Sequence, residues 1–322
     1  MKIRHSVLVP TYNHQHFISE CLESLLNQSE LPYEIIISDD GSNDKTLEIV
    51  NFYKKRNDKL IKVYKNVTNI GIFKNLNKIR GYATGNIISF CAGDDLFKKQ
   101  TIEKINNAIL KNKLNPDQDS FIIGLNSVHL YNDGREWIWN NFRYKDIDPL
   151  KLKLRFGLSF RCTGYSLGII KNTITEEEVI NLYPEIGLGA DTIKGFEELK
   201  NCDRIIYVDY AGPVYRLGVG ITSKYYSKKK YLEDLRLLEI IKTKYKDYWE
   251  TKDLRFINYK ESSLKFEYNP SFLLFFKTAY LAIINYDNFT SNQPWIRSLN
   301  IFLPKKIYPF LKNYIYPILR RN

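Results

Sequence analysis

Apolar positions fall into two alternating rhythms over the first hundred or so residues of this chain. Val7-Leu8-Val9 is a short unbroken apolar run, as a strand buried on both faces carries. Behind it Ile18, Cys21, Leu22, Leu25 and Leu26 recur at three- and four-residue spacing, which predicts a helix with one buried face. Glu34 to Ser38 predicts a second strand, and Leu47, Val50 and Lys54 a helix with Asp44 in its first turn, where the helix dipole favours an anion. Ile61 to Tyr64 predicts a third strand, Phe73 to Ala83 a helix, and Ile87 to Cys91 a fourth strand. Ile102, Ile105 and Ile109 stripe another helix, and Phe121-Ile122-Ile123 opens a further strand. Such alternation predicts an α/β fold, a mostly parallel sheet flanked by helices.

The rhythm then becomes mixed. Asn132-Asp133-Gly134 predicts a hairpin turn between Val128 to Tyr131 and the aromatic stretch Trp137 to Phe142. Arg204 to Asp209 reads as a late strand, and Lys228-Lys229-Lys230 opens a helical stretch to about Tyr248. These shifts divide the expectation into a main domain over 1–225 and a helical, basic and aromatic C-terminal region over 226–322.

Composition narrows the class. A chain of 322 residues, 44% hydrophobic and 26% charged, has ordinary globular proportions and enough length for a large core. Cys21, Cys91, Cys162 and Cys202 match no zinc or redox spacing, which points to buried free thiols in a reducing compartment. The apolar run after the basic N-terminus is too short for a signal peptide, so a cytoplasmic location is expected. A net charge of +12 calls for an anionic partner, but no nucleic-acid motif accompanies it, so nucleic acid is not expected.

In sheets of this kind ligands bind beyond the C-terminal ends of the strands. Those ends read Pro10-Thr11-Tyr12-Asn13, Asp39-Asp40-Gly41-Ser42 and Gly93-Asp94-Asp95, so two of the three are carboxylate pairs. Carboxylate oxygens suit a divalent cation, which neutralises a diphosphate and orients it. Taken singly, Asp94-Asp95 also suits a cap for a helix starting near Lys99, and Asp39-Asp40 an ordinary turn.

Taken together and in order, Val9 to Asn13, Ser38 to Asp44, Asn69-Ile70-Gly71, Gly85 to Ile88 and Gly93-Asp94-Asp95 resemble the family 2 glycosyltransferases. The resemblance implies a GT-A fold in which Tyr12 packs on a nucleotide base, often uracil, and Asp40 hydrogen-bonds that base beside Asp39, with Pro10, Thr11 and Asn13 in the same loop. It implies Asp95 as the direct Mn²⁺ or Mg²⁺ ligand and Asp94 near the ribose. Residues 92 and 93 are Ala and Gly, so the metal motif lacks its usual first acid. Leu76 stands where many relatives carry an arginine, leaving Lys74 or Lys78 as substitutes.

The resemblance also implies an inverting transfer whose base is an Asp at a helix start, and Asp191 in Gly187 to Thr192 matches it. Ala190 replaces the acid that often precedes this base, so Glu185 is a substitute candidate, and Asp191 equally suits an ordinary helix cap. Arg216, in Tyr215 to Thr222, resembles a segment that meets the diphosphate. His14 and His16 form no ligand spacing and read as surface or acceptor-side residues.

The expected activity is thus a non-processive transfer from a nucleotide-sugar donor, UDP favoured, to a glycan or polyprenyl-diphosphate-linked acceptor in surface polysaccharide synthesis. The Gln-x-x-Arg-Trp signature of processive enzymes is absent, and so is the Gly-x-Gly-x-Arg loop of sugar-1-phosphate nucleotidyltransferases. A non-catalytic binding module on the same fold is the rival reading. Near the C-terminus, Phe272 to Phe276 and Tyr280 to Ile284 are apolar but too short to span a bilayer. From Trp295 aromatic and basic residues interleave, which suits peripheral contact with the anionic inner face of a membrane.

Overall fold

The computed structural model describes residues 2–140, 145, 150, 162–166, 176–219, 228–269 and 271–284. Its core is a sheet of nine strands among these residues, in the order β3-β2-β1-β4-β8-β6-β9-β5, with β7 paired to β6. The strands are β1 (His5–Thr11), β2 (Glu34–Asp39), β3 (Ile61–Lys65), β4 (Ile87–Phe90), β5 (Leu96–Phe97), β6 (Phe121–Leu130), β7 (Glu136–Trp139), β8 (Cys162–Ser166) and β9 (Arg204–Arg216). β3, β2, β1 and β4 pair in parallel. β8 is antiparallel to both β4 and β6, so β6 again runs with β4, and β9 runs with β6. Only β5, β7 and β8 run the other way, which makes this the mostly parallel α/β sheet that the apolar runs predicted.

Helices α1 (Ile18–Leu26), α2 (Thr46–Arg56), α3 (Ile72–Gly81) and α4 (Thr101–Lys111) alternate with these strands. On one sheet face Val7, Val9, Ile35 and Ile37 pack against Ile18, Leu22 and Leu25 of α1 and Val50 of α2. On the other, Leu8, Ile36 and Ile88 pack against Ile79 of α3, with Phe90 beside them. Both sides of β1 and β2 are buried, and that is why their apolar runs are continuous.

Several boundaries differ from the sequence expectation. Asp44 precedes α2 instead of lying in its first turn, because its carboxylate is already used as an acceptor for the Thr46 and Gln15 N–H groups. α4 starts at Thr101 and its N-cap Gln100 makes no side-chain cap bond, so Asp94 and Asp95 do not cap it; β5 lies between. β9 runs on to Arg216, seven residues past the predicted end. The buried thiols Cys21 and Cys91, remote in sequence, approach to 3.9 Å. Cys202 is partly buried, and its pKa is pushed up to about 12 by that burial.

The rest is helical: α5 (Glu176–Ile186), a 3₁₀ turn at Gly187–Gly189, α6 (Ala190–Lys200), α7 (Lys228–Lys244), α8 (Thr251–Tyr268) and α9 (Phe272–Ile284). The helix expected to reach Tyr248 ends at Lys244, followed by a 3₁₀ turn over Lys246–Tyr248. The chain divides into two compact units, one of Met1–Asn181 with Asp191–Tyr225 and one of Leu182–Ala190 with Tyr226–Asn322. No described helix is long and apolar enough to cross a membrane. The aromatic and basic segment from Trp295 lies outside the described residues.

Candidate active site

The loops that follow β1 and β2 are tied together by a reciprocal set of hydrogen bonds. Asn13 adopts a left-handed backbone (φ 55°), tolerable for Asn, and its N–H donates to Ser42 Oγ at 2.9 Å. The Asn43 N–H donates back to Asn13 Oδ1, and the His14 N–H donates to Thr46 Oγ1. Burial pushes the Asp44 carboxyl upward, but donors from Thr46 and Gln15 outweigh it and hold the group below its usual range. The result is a fixed rim that leaves Tyr12 39% exposed.

The paired aspartates of the second loop have different environments. Asp39 is wholly buried, and one carboxylate oxygen accepts the Ser42 N–H at 3.0 Å while the other has no partner. Asp40 is 3% exposed; it accepts Asn66 Nδ2 and the Ile70 N–H on one oxygen and the Gly71 N–H on the other. Two carboxylate oxygens offer about four lone-pair positions, so three protein donors leave Asp40 one acceptor position. Asn66 is held in turn by Asn75 and by Lys78, whose Nζ donates to its Oδ1 at 2.7 Å. Lys74 is exposed in the first turn of α3, so of the two lysines weighed from sequence it is Lys78 that joins this network.

Gly41 shows why this stretch is glycine. Its φ is +75°, and a β-carbon there would lie 2.8 Å from the Thr68 backbone. Gly93, three residues past β4, is glycine for space alone: a β-carbon would stand 2.6 Å from Thr11 Oγ1 and 2.8 Å from His14 Nδ1. The ends of β1 and β4 therefore touch, and Asp94 and Asp95 follow at that contact.

His14 lies between Thr11 Oγ1, 3.2 Å from Nδ1, and Asp94 Oδ2, 3.8 Å from Nε2. Burial holds its pKa below the usual value, against the pull of Asp94, Asp44 and Asp39. Of the two histidines expected as surface or acceptor-side residues, His16 is exposed and His14 is partly buried at the strand ends. No ligand spacing marked it; the signal is its place directly after Asn13, where the left-handed turn carries the chain back toward the strand ends. Asp95 Oδ1 accepts the Arg216 N–H at 3.0 Å, which brings the end of β9 to the pair. The Arg216 guanidinium bonds Glu20 and lies 5.3 Å from the Phe17 ring, so α1 holds it. Glu20, unmarked in the sequence, is legible only through this contact.

Asp191 is exposed in the first turn of α6. One turn on, Lys194 Nζ sits 5.1 Å from the Phe90 ring, which carries this part of α6 to the end of β4. Glu185, the substitute candidate, pairs instead with Arg236. Asp94 and Asp95 are both half-buried, and hard carboxylate oxygens suit Mn²⁺ or Mg²⁺. Among the described residues no three acidic, His or Cys side chains form a metal cage.

The sequence model of the family described as Glycosyl transferase family 2 matches residues 6–173. The chain belongs to that family. Poly(ribitol-phosphate) beta-glucosyltransferase of Bacillus spizizenii is 38% identical over 104 residues, which cover 32% of this chain and 16% of that protein. An uncharacterized glycosyltransferase of Haemophilus influenzae is 36% identical over 109 residues, 34% of this chain and 43% of that one. The aligned part of this family 2 chain thus spans less than half of either relative. The crystal structure of S. aureus TarS 1-349 in complex with UDP-GlcNAc superimposes with a TM-score of 0.59 at 20% identity, over 96% of this chain and 86% of that one. That likeness establishes the shared GT-A fold.

Proposed function

We propose that this family 2 chain is an inverting, non-processive glycosyltransferase that moves a sugar, hexosyl or N-acetylhexosaminyl, from a UDP-sugar to a hydroxyl of a glycan or lipid-linked glycan in surface polysaccharide synthesis. The observation that carries it is the meeting of three strand ends at Asp94 and Asp95, between His14 and the Arg216 backbone. In this reading Tyr12 stacks on the uracil and the remaining acceptor position of Asp40 takes its N3–H. Cytosine has no hydrogen at N3 and is disfavoured there. Pro10, Thr11, Asn13 and Asp39 would shape the pocket, and Lys74 and Arg216 would meet the diphosphate. A Mn²⁺ or Mg²⁺ held by Asp95 with Asp94 beside it would offset the diphosphate charge and stabilise it as a leaving group. Asp191 takes the proton from the acceptor hydroxyl as its oxygen bonds the anomeric carbon and the bond to the diphosphate breaks.

Residues 226–322 act in this reading as an appendage at the inner membrane face. Leu273, Phe276 and Tyr280 of α9 support that role, since all three expose apolar surface. The relative named poly(ribitol-phosphate) beta-glucosyltransferase supports a polymeric acceptor.

The test is a thermal-shift titration with UDP, GDP and dTDP, each with and without Mn²⁺, on wild type and Asp95→Ala. Stabilisation by UDP that needs both Mn²⁺ and Asp95 is expected. No shift with any nucleotide would sink the donor site and favour a module without this chemistry.

A further inference from the structure

The hairpin of β6 and β7 carries aromatic surface that donor binding does not use. Register places Tyr215 of β9, His129 of β6 and Trp137 of β7 side by side in one row across three strands. The His129 ring lies 5.9 Å from Tyr215 and 5.1 Å from Trp137, and Trp137 lies 5.4 Å from Trp139. Trp137 is 46% exposed, an unusual position for so large an apolar ring.

β9 carries extra residues against β6 between Leu125 and Val128, and beyond that bulge Tyr215, His129 and Trp137 form one row at the C-terminal end of β6. The row also begins one residue from the N–H that Asp95 holds.

We propose that Trp137, with His129 and Tyr215, forms the acceptor platform, on which a pyranose ring of the acceptor glycan stacks; this rests on the transferase reading above. A pyranose presents a face of polarised C–H groups, and an indole face carries negative charge density that attracts them. The flanking imidazole and phenol supply hydrogen-bonding atoms for ring hydroxyls, the mix of aromatic surface and few polar groups that a ligand site needs. Continuity with the Asp95 end of the sheet favours a sugar acceptor over an unrelated partner.

The experiment is saturation-transfer NMR on the full chain with UDP and Mn²⁺, using methyl β-D-glucopyranoside, methyl β-D-galactopyranoside and methyl N-acetyl-β-D-glucosaminide as probes. Wild type is expected to transfer saturation to ring protons of at least one glycoside. Trp137→Ala should lose about tenfold in affinity, and Trp137→Phe should recover most of it. The UDP-dependent thermal shift should be the same in all three proteins, which separates the platform from donor binding and from misfolding. Equal signals in wild type and Trp137→Ala overturn the platform, as does the absence of any glycoside signal in wild type that binds UDP. A concentration-dependent dimer in sedimentation that Trp137→Ala abolishes, without glycoside signal, would instead assign the surface to a second copy. If wild type shows glycoside signal but no UDP shift, the donor reading fails and the platform stands.

Discussion

The N–H of Arg216 donates to the carboxylate of Asp95 at 3.0 Å, joining residues 121 positions apart. Asp95 is thus a structural acceptor as well as the proposed cation ligand, and the two roles separate by substitution. Asp95→Asn keeps an oxygen for the Arg216 N–H but loses the charge. Asp95→Ala loses both, and an orphaned N–H costs about 1–3 kcal/mol. Urea unfolding without ligand should show Asp95→Ala less stable than Asp95→Asn by about that amount. Both should lose the Mn²⁺-dependent part of UDP stabilisation. Equal stability in urea would refute the structural role of the bond.

Asp191 is exposed and engaged in no packing that its carboxylate must supply. Asp191→Asn should therefore leave folding and UDP binding intact while lowering turnover by about 10²–10⁴-fold, the usual worth of a positioned base. Steady-state kinetics beside the thermal shift reads both. An unchanged kcat would remove Asp191 from the chemistry.

Gly93 lies where two strand ends touch, so Gly93→Ala forces a β-carbon to within 3 Å of Thr11 and His14. The loop carrying Asp94 must move. UDP affinity is expected to fall at least about tenfold, since misplacement of site groups on this scale costs that much or more. Thr11→Ala added to Gly93→Ala removes one of the clashing atoms and should restore part of the affinity. A double variant no better than Gly93→Ala would show that the loop fails for another reason.

His5 is buried in the sheet, with Nε2 2.7 Å from Ser89 Oγ. Burial drives its pKa down to about 4, partly offset by Asn106, from an ordinary value of 6.5. The unfolded chain therefore holds more protons than the folded one between those values, and stability falls as pH drops through that window. A shift of this size corresponds to roughly 3 kcal/mol. Urea midpoints should fall from pH 7 to pH 4.5 in wild type, and the decline should be shallower in His5→Gln. Identical slopes would show that other groups set the acid limb.

The sequence by itself determined most elements of the first hundred or so residues and the identity of the strand ends there. Continuous runs such as Val7-Leu8-Val9 and Ile35-Ile36-Ile37 can only be buried on both faces, and turn-forming Gly and Asn punctuate them. Pro10 to Asn13, Asp39-Asp40 and Asp94-Asp95 were legible because local chemistry concentrates at the ends of such strands. Tertiary structure decided what those residues touch. That Asp40 keeps one acceptor position depends on Asn66, Ile70 and Gly71, which come from the next crossover. That His14 belongs beside Asp94, and Lys78 behind Asp40, follows from loops meeting in space. The aromatic row of Tyr215, His129 and Trp137 needed the register of three strands and the bulges that set which face they share. Periodicity is a property of neighbours along the chain, whereas register and loop contact are set by packing between segments far apart in it.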